Sequence, residues 1–278
     1  MNTYLDRVLN WLGAYHVPVI LLSATPPGPP RAELLRAYLG SNKPPDAAIA
    51  ACQDYPLLSW TEDETVHMAG ASAQGAGRIV CVQRVEQAQA LAAAGEALGN
   101  GCVGLIVNTV KRAQMLREML RQAYPDAVIL MDHSRFLAPD RLEHEQEILR
   151  CVGKSADAQT RRGVLVIGTQ VLEQSLDLDF DLLITDLCPM DLLLQRIGRL
   201  HRHARTRPQG LEVPRCLVMG ALGELDAGSK AVYGEYLLLR TRRLLPERIR
   251  LPEDISPLVQ RTYDAMRFPP ESDEETGA

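Results

Sequence analysis

Two short runs of unbroken apolar residues constrain this chain most. Residues 164–167 are all apolar and end in Gly168 and Thr169, and residues 181–186 form a second run, Asp-Leu-Leu-Ile-Thr-Asp. Strands buried on both faces read as continuous apolar runs, so two of them flanking a short helical piece make a parallel βαβ unit. The same kind of run recurs at 103–108, 128–131 and 215–219, with helical stretches at 87–98, 111–123 and 140–151 between them. The carboxyl ends of such strands face a ligand crevice. With 278 residues, 46% of them hydrophobic and 5% aromatic, the chain has material for one full α/β domain and attachments.

Upstream, residues 4–14 carry Leu5, Val8, Leu9 and Leu12 at helical spacing, and 17–22 read as a buried strand leading into Ser23-Ala24-Thr25-Pro26. Hydroxyls after a strand end are ordinarily turn formers or N-caps. The breaker-rich stretch 40–45 reads as a linker, which sets boundaries of 1–45, 46–225 and 226–278. Residues 49–59 and 65–68 are weaker strand candidates, 228–245 is helical, and the acidic tail 269–278 reads as disordered.

From 190 to 210 the only acid is Asp191, against Arg196, Arg199, Arg202, Arg205 and Arg207. At 100° per residue Leu193, Leu194, Ile197 and Leu200 share one side of a helix, and Gln195, Arg199 and Arg202 the other. The guanidinium groups therefore await an anion, and their fork suits phosphate oxygens. The competing reading is a solvated basic face with one structural ion pair. A net charge of -5 limits any phosphate contact to local patches of this kind.

The wording of these stretches resembles a known family. QRIGRLHR, from Gln195 to Arg202, resembles the last signature motif of superfamily 2 helicases, usually written QRxGRxGR, and GTQVLEQSLDLDFDLLITD resembles the motif before it. Ser23-Ala24-Thr25 resembles motif III, and IVNTV, ending at Val110, resembles motif IV. The near-continuous run from Leu172 to His203, with HSRF at His133, is similar to the CRISPR-associated helicase-nuclease of type I interference systems.

That resemblance implies a RecA-like parallel sheet flanked by helices, the second motor domain of such a helicase. A remnant of the first motor domain would precede it and a helical extension would follow. It implies that Arg199 and Arg202 meet the γ-phosphate of ATP, that Gln195 orients the phosphate or the attacking water, and that Asp177 meets the ribose or a motif VI arginine. Arg196 would make a structural or interdomain contact. Thr109, Arg135, Gly168 and Thr169 would touch the nucleic-acid backbone, and Ser23 and Thr25 would couple nucleotide state to grip. The implied cofactor is ATP with Mg2+, and the implied partners are single-stranded DNA, the first RecA-like domain, the nuclease domain and the RNA-guided surveillance complex.

The chain carries no GxxxxGK[ST] loop and no acidic Mg2+ motif, nor the histidine and aspartate cluster of the family's nuclease. The resemblance implies a start just after the family's DExH motif, and the isolated chain is expected to hydrolyse no ATP. A general superfamily 2 helicase portion and a non-catalytic nucleic-acid or partner-binding fragment are the alternatives. His133 reads as a turn histidine with a satisfied side chain rather than a ligand, and no metal site is expected. The six scattered cysteines read as reduced and mostly buried. No signal peptide or membrane span is legible, so the cytoplasm is expected.

Overall fold

A computed structural model describes residues 3–23, 27–40, 47–62, 65–71, 77–136, 138–174 and 176–264. The chain divides into two compact units, Met1–Arg78 with Leu251–Ala278, and Ile79–Arg250. The sequence reading sets its boundaries instead at 45 and 225.

The first unit holds α1 (Thr3–Ala14), α2 (Gly28–Leu39), α3 (Ala47–Ala51), β1 (Leu57–Glu62) and β2 (Thr65–Gly70). Strands β1 and β2 pair antiparallel, from Leu57 opposite Gly70 to Glu62 opposite Thr65. Residues 49–51 are thus helical, and the strand begins only at Leu57. The expected strand at 17–22 does not form: among the described residues it has no sheet partner, and Ile20 is 86% and Leu22 93% exposed. An apolar run becomes a strand only where a neighbour accepts its backbone hydrogen bonds. Ser23 is exposed in this segment, and Thr25 lies outside the described residues.

In the second unit, β3 (Arg78–Val85), α4 (Gln87–Leu98), β4 (Cys102–Ile106), α5 (Val110–Ala123), β5 (Val128–Asp132) and α6 (Ala138–Val152) alternate. Then come α7 (Ala158–Arg161), β6 (Val164–Gly168), α8 (Val171–Gln174), β7 (Leu182–Asp186), α9 (Met190–Ile197) and β8 (Arg215–Met219). Last are α10 (Ala227–Tyr233), α11 (Glu235–Leu244), β9 (Arg248–Leu251) and α12 (Ile255–Tyr263), the last belonging to the first unit. The seven-stranded sheet runs β5-β6-β4-β7-β8-β3-β9, and every pairing from β5 to β3 is parallel. This is the RecA-like α/β sheet with helices on its faces that the sequence implies.

The central strands explain their own sequences. Every residue of β4, β6 and β7 is buried, because helices cover both sheet faces. One face packs Ala90, Ala94 and Ala97 of α4 and Leu116 and Leu120 of α5 against Leu105, Leu165, Ile167 and Ile184. On the other, Phe180 lies so close to β4 that a Cβ on Gly104 would come within 2.5 Å of its ring. The 226–250 stretch is not purely helical, since β9 returns to the sheet edge. The order of strands brings the carboxyl ends of β4, β5, β6 and β7 to one edge, where Asn108, His133, Thr169 and Leu187 follow them.

Candidate functional site

Helix α9 ends at Ile197, and Gly198 caps it. The helical projection that puts Gln195, Arg199 and Arg202 on one face therefore breaks after the first of them. Gln195 sits half-buried on the helix, whereas 199–201 run beside Phe180 as a bridge. The Phe180 N–H donates to the Arg199 carbonyl (2.8 Å), and the His201 N–H donates to the Phe180 carbonyl (3.0 Å). This turn puts His201 at φ 48°, the left-handed region, at the position where the superfamily pattern carries glycine. Its ring Nε2 lies 3.1 Å from the Asp181 carbonyl, a contact glycine could not make.

Arg199 is 9% exposed; one nitrogen donates to the Glu173 carbonyl, while Nε has no partner among the described residues. Burial, and next the neighbouring Arg202 charge, pull this guanidinium below its ordinary range. Arg202 is half-exposed, with Nε on Asp177 Oδ1 (2.6 Å) and its backbone N–H on Asp179 Oδ1 (2.8 Å). Burial works against the Asp177 anion, but His203 and Arg202 hold its carboxyl below the usual range.

The expectation that these arginines lack carboxylates is overturned. Their acids come from residues 173–181, outside the window of the count. Arg205 meets Asp179 at 2.7 Å. Arg207 has only 7% of its side chain exposed and bridges Asp179 (2.9 Å) and Asp181 (2.8 Å). Arg161 joins the same pair, at 2.9 Å from Asp181. Burial pushes Asp181 up, yet Arg161, the Cys102 N–H and Arg207 together hold it below the carboxylate range. The loop after motif VI is thus clamped to the motif V turn by buried ion pairs.

Arg196 is wholly buried, in keeping with the structural role expected of it. It meets Glu173 Oε1 (2.7 Å), Thr185 Oγ1 (2.7 Å), Asn108 Oδ1 (3.1 Å), the Tyr233 hydroxyl (3.3 Å) and the carbonyls of Ile106 and Asp186 (3.3 Å each). Sequence reasoning missed the rest of this cluster. The Asn108 N–H donates to Asp186 Oδ2 (3.1 Å), and Arg112 pairs with the same carboxylate at 2.9 Å. Burial raises the Asp186 carboxyl even against Arg112. An acid ending an otherwise apolar strand was the available signal.

Of the residues expected to touch nucleic acid, Thr109 caps α5, its Oγ1 accepting from the Arg112 N–H (3.3 Å). Gly168 closes β6, where a Cβ would come within 2.4 Å of the Asp132 carbonyl. Thr169 is 2% exposed, and its Oγ1 has no partner among the described residues. Arg135 is exposed on the turn after β5. His133 departs from its expected state: it is 4% exposed, and neither ring nitrogen finds a partner among the described residues. Its ring instead stacks on Phe136, with centroids 4.2 Å apart. Asp132 is buried beside it with both oxygens unpartnered there, and burial, then Glu145, raises its carboxyl.

The family model for the carboxyl-terminal part of the CRISPR-associated nuclease/helicase Cas3 matches residues 99–205. The Cas3 nuclease/helicase of Streptococcus thermophilus is 42% identical over 273 residues, which cover 95% of this chain. The chain is a homologue of the Cas3 carboxyl-terminal region. T. fusca Cas3 in complex with AMPPNP superposes with a TM-score of 0.82 at 29% identity, over 94% of this chain and 33% of that one. A chain in a pre-nicking CRISPR RNA-guided surveillance complex matches at 0.78 and 31% identity, over 94% of this chain and 35% of that one. The chain spans 29% of the Streptococcus thermophilus relative. Among the described residues no helix is long and apolar enough to cross a membrane, and no group of three His, Cys, Asp or Glu side chains could hold a metal ion. All six cysteines are free thiols, four of them buried.

Proposed function

We propose that this chain is the second motor domain of an ATP-dependent, single-strand DNA translocating helicase acting in CRISPR interference. The observation that carries the reading is a pair of buried donors without acceptors among the described residues, Arg199 Nε and Thr169 Oγ1, at the carboxyl edge of a parallel sheet. Donors so placed are suited to phosphate oxygens. ATP, when bound, supplies a phosphoryl group whose developing charge must be stabilised. Arg199 and Arg202 would hold it, Gln195 would orient it, and Asp177 would release Arg202 as the pair is exchanged for phosphate. Arg196 holds the end of α9 from which Arg199 projects. Thr169 and Arg135, with Gly168 permitting close approach of the backbone, would grip DNA along its phosphates, and Thr109 would add its hydroxyl proton. Ser23 and Thr25 would couple the two events. The Mg2+ ligands belong in this reading to the first motor domain, so the isolated chain is expected to be inactive as an ATPase. The relatives seen with AMPPNP and in a surveillance complex support nucleotide and surveillance-complex partners for the whole protein.

The test is single-stranded DNA binding by the chain, followed by fluorescence anisotropy at two salt concentrations. Affinity should fall as salt rises and be equal for oligonucleotides of different base order, because the contacts address phosphates. A strong preference for one base sequence, or affinity unchanged by salt, refutes the reading.

A further inference from the structure

Helix α10 lies outside every helicase motif, yet it touches three of them. Asp226 caps it, accepting from the Ser229 N–H (2.7 Å) and the Ser229 hydroxyl (3.0 Å). That hydroxyl, 6% exposed with its residue, accepts in turn from Asn108 Nδ2 (2.8 Å), directly before Thr109. Gly228 brings the helix so near that a Cβ there would stand 3.1 Å from Thr109 Cγ2. At the other end Tyr233 occupies the last residue of the helix, where Gly234 at φ 78° turns the chain away. Its hydroxyl oxygen accepts from Gln170 Nε2 (3.0 Å) and from Arg196 Nη2 (3.3 Å).

Gln170 follows Thr169, the buried hydroxyl assigned to DNA, and Arg196 lies three residues before Arg199, assigned to phosphate. One phenolic oxygen therefore ties the two halves of the site. We infer that Tyr233 is a positioning residue that fixes the motif V turn against the end of the motif VI helix, with Ser229 fixing the motif IV turn beside them. The inference rests on the function proposed above. Tyr233 suits the task because burial pushes its phenol up to about 12, so the hydroxyl stays neutral and can accept from a guanidinium without becoming a second buried anion. A packing role alone would be met by the ring; the hydroxyl is what spans Gln170 and Arg196.

The Tyr233→Phe chain removes that oxygen and keeps the ring. Peptide-resolved hydrogen exchange should then quicken in both 169–174 and 194–202, while the 102–106 strand exchanges as in the wild type. Affinity for a single-stranded oligonucleotide should fall about 3- to 10-fold, the range one hydrogen bond supplies. Gln170→Leu removes one of its two bonds from the other side, and the double variant should weaken binding no further than Tyr233→Phe alone. Should Tyr233→Phe unfold, Gln170→Leu carries the test with the same two exchange segments. Unchanged exchange in both segments, or a response confined to one of them, overturns the inference. A wild-type chain that binds no DNA would sink the functional reading instead, and the exchange comparison would still decide whether Tyr233 links the two turns.

Discussion

Replacing Arg207 by alanine tests the ion-pair clamp most directly. The side chain makes four contacts: to Asp181 Oδ1 (2.8 Å), to Asp179 Oδ1 and Oδ2 (2.9 and 3.1 Å), and to the His203 carbonyl (2.8 Å). Breaking a buried pair usually costs about 3–5 kcal/mol because a charge is left alone. Here it is not left alone, since Arg161 and Arg205 remain on the same two carboxylates. The cost should therefore fall to about 2–3 kcal/mol, which for a unit of this size lowers Tm by roughly 4–12 °C. Arg207→Lys should lie between alanine and the wild type, because an ammonium keeps the charge and loses the two-point grip. Thermal unfolding followed by circular dichroism reads both. A Tm for Arg207→Ala within about 1 °C of the wild type would refute the clamp.

Two other perturbations follow from the same site. With the first motor domain supplied separately, Arg199→Lys should lower the restored ATPase at least about tenfold, since an arginine finger contributes about 10³ to 10⁵ in rate. Arg150→Lys, on an exposed pair with Glu147, should change it little; equal and small effects at the two positions would exclude the finger. His201 is held to about 4 by burial and then by the Arg207 charge, against an ordinary 6.5. As pH falls from 6.5 toward 4 the unfolded chain takes up a proton that the folded chain refuses, so stability falls across that window and is unaffected above it. The shift is worth roughly 3 kcal/mol at most, reduced to roughly 1–2 because the ring is part-exposed. His201→Asn tolerates the left-handed backbone and removes the titration, so urea unfolding at pH 7 and pH 4.5 should show a smaller difference than in the wild type. The same pH slope in both proteins would argue against His201 as the source.

The sheet was legible because strands covered on both faces cannot tolerate polar residues, and β4, β6 and β7 obey that rule without exception apart from the hydroxyl and acid that end β7. The run at 17–22 obeys it as well and is no strand, since composition reports what a segment can bury and says nothing of whether a neighbour is there to pair with it. The arginines were legible by type and misjudged in state. Counting acids only from 190 to 210 misses Asp179 and Asp181, which the fold brings back onto them. Gly198 was the visible sign that α9 stops, and the helical projection passed over it. Tyr233 left no signal at all, because a hydroxyl that meets partners 37 and 63 residues away belongs to no local period.

The apolar stretch at 17–22 has a practical consequence for anyone handling the chain in solution. Ile20 and Leu22 present bare side chains on a backbone that pairs with no strand among the described residues, the arrangement that recruits a strand from any molecule able to supply one. Concentrated samples are therefore set to stick to one another along this segment. Because the driving force is apolar, salting-out anions such as sulfate strengthen it. Self-association should consequently rise and DNA affinity fall along a sulfate gradient, so that a low-sulfate buffer favours both a dispersed chain and DNA binding.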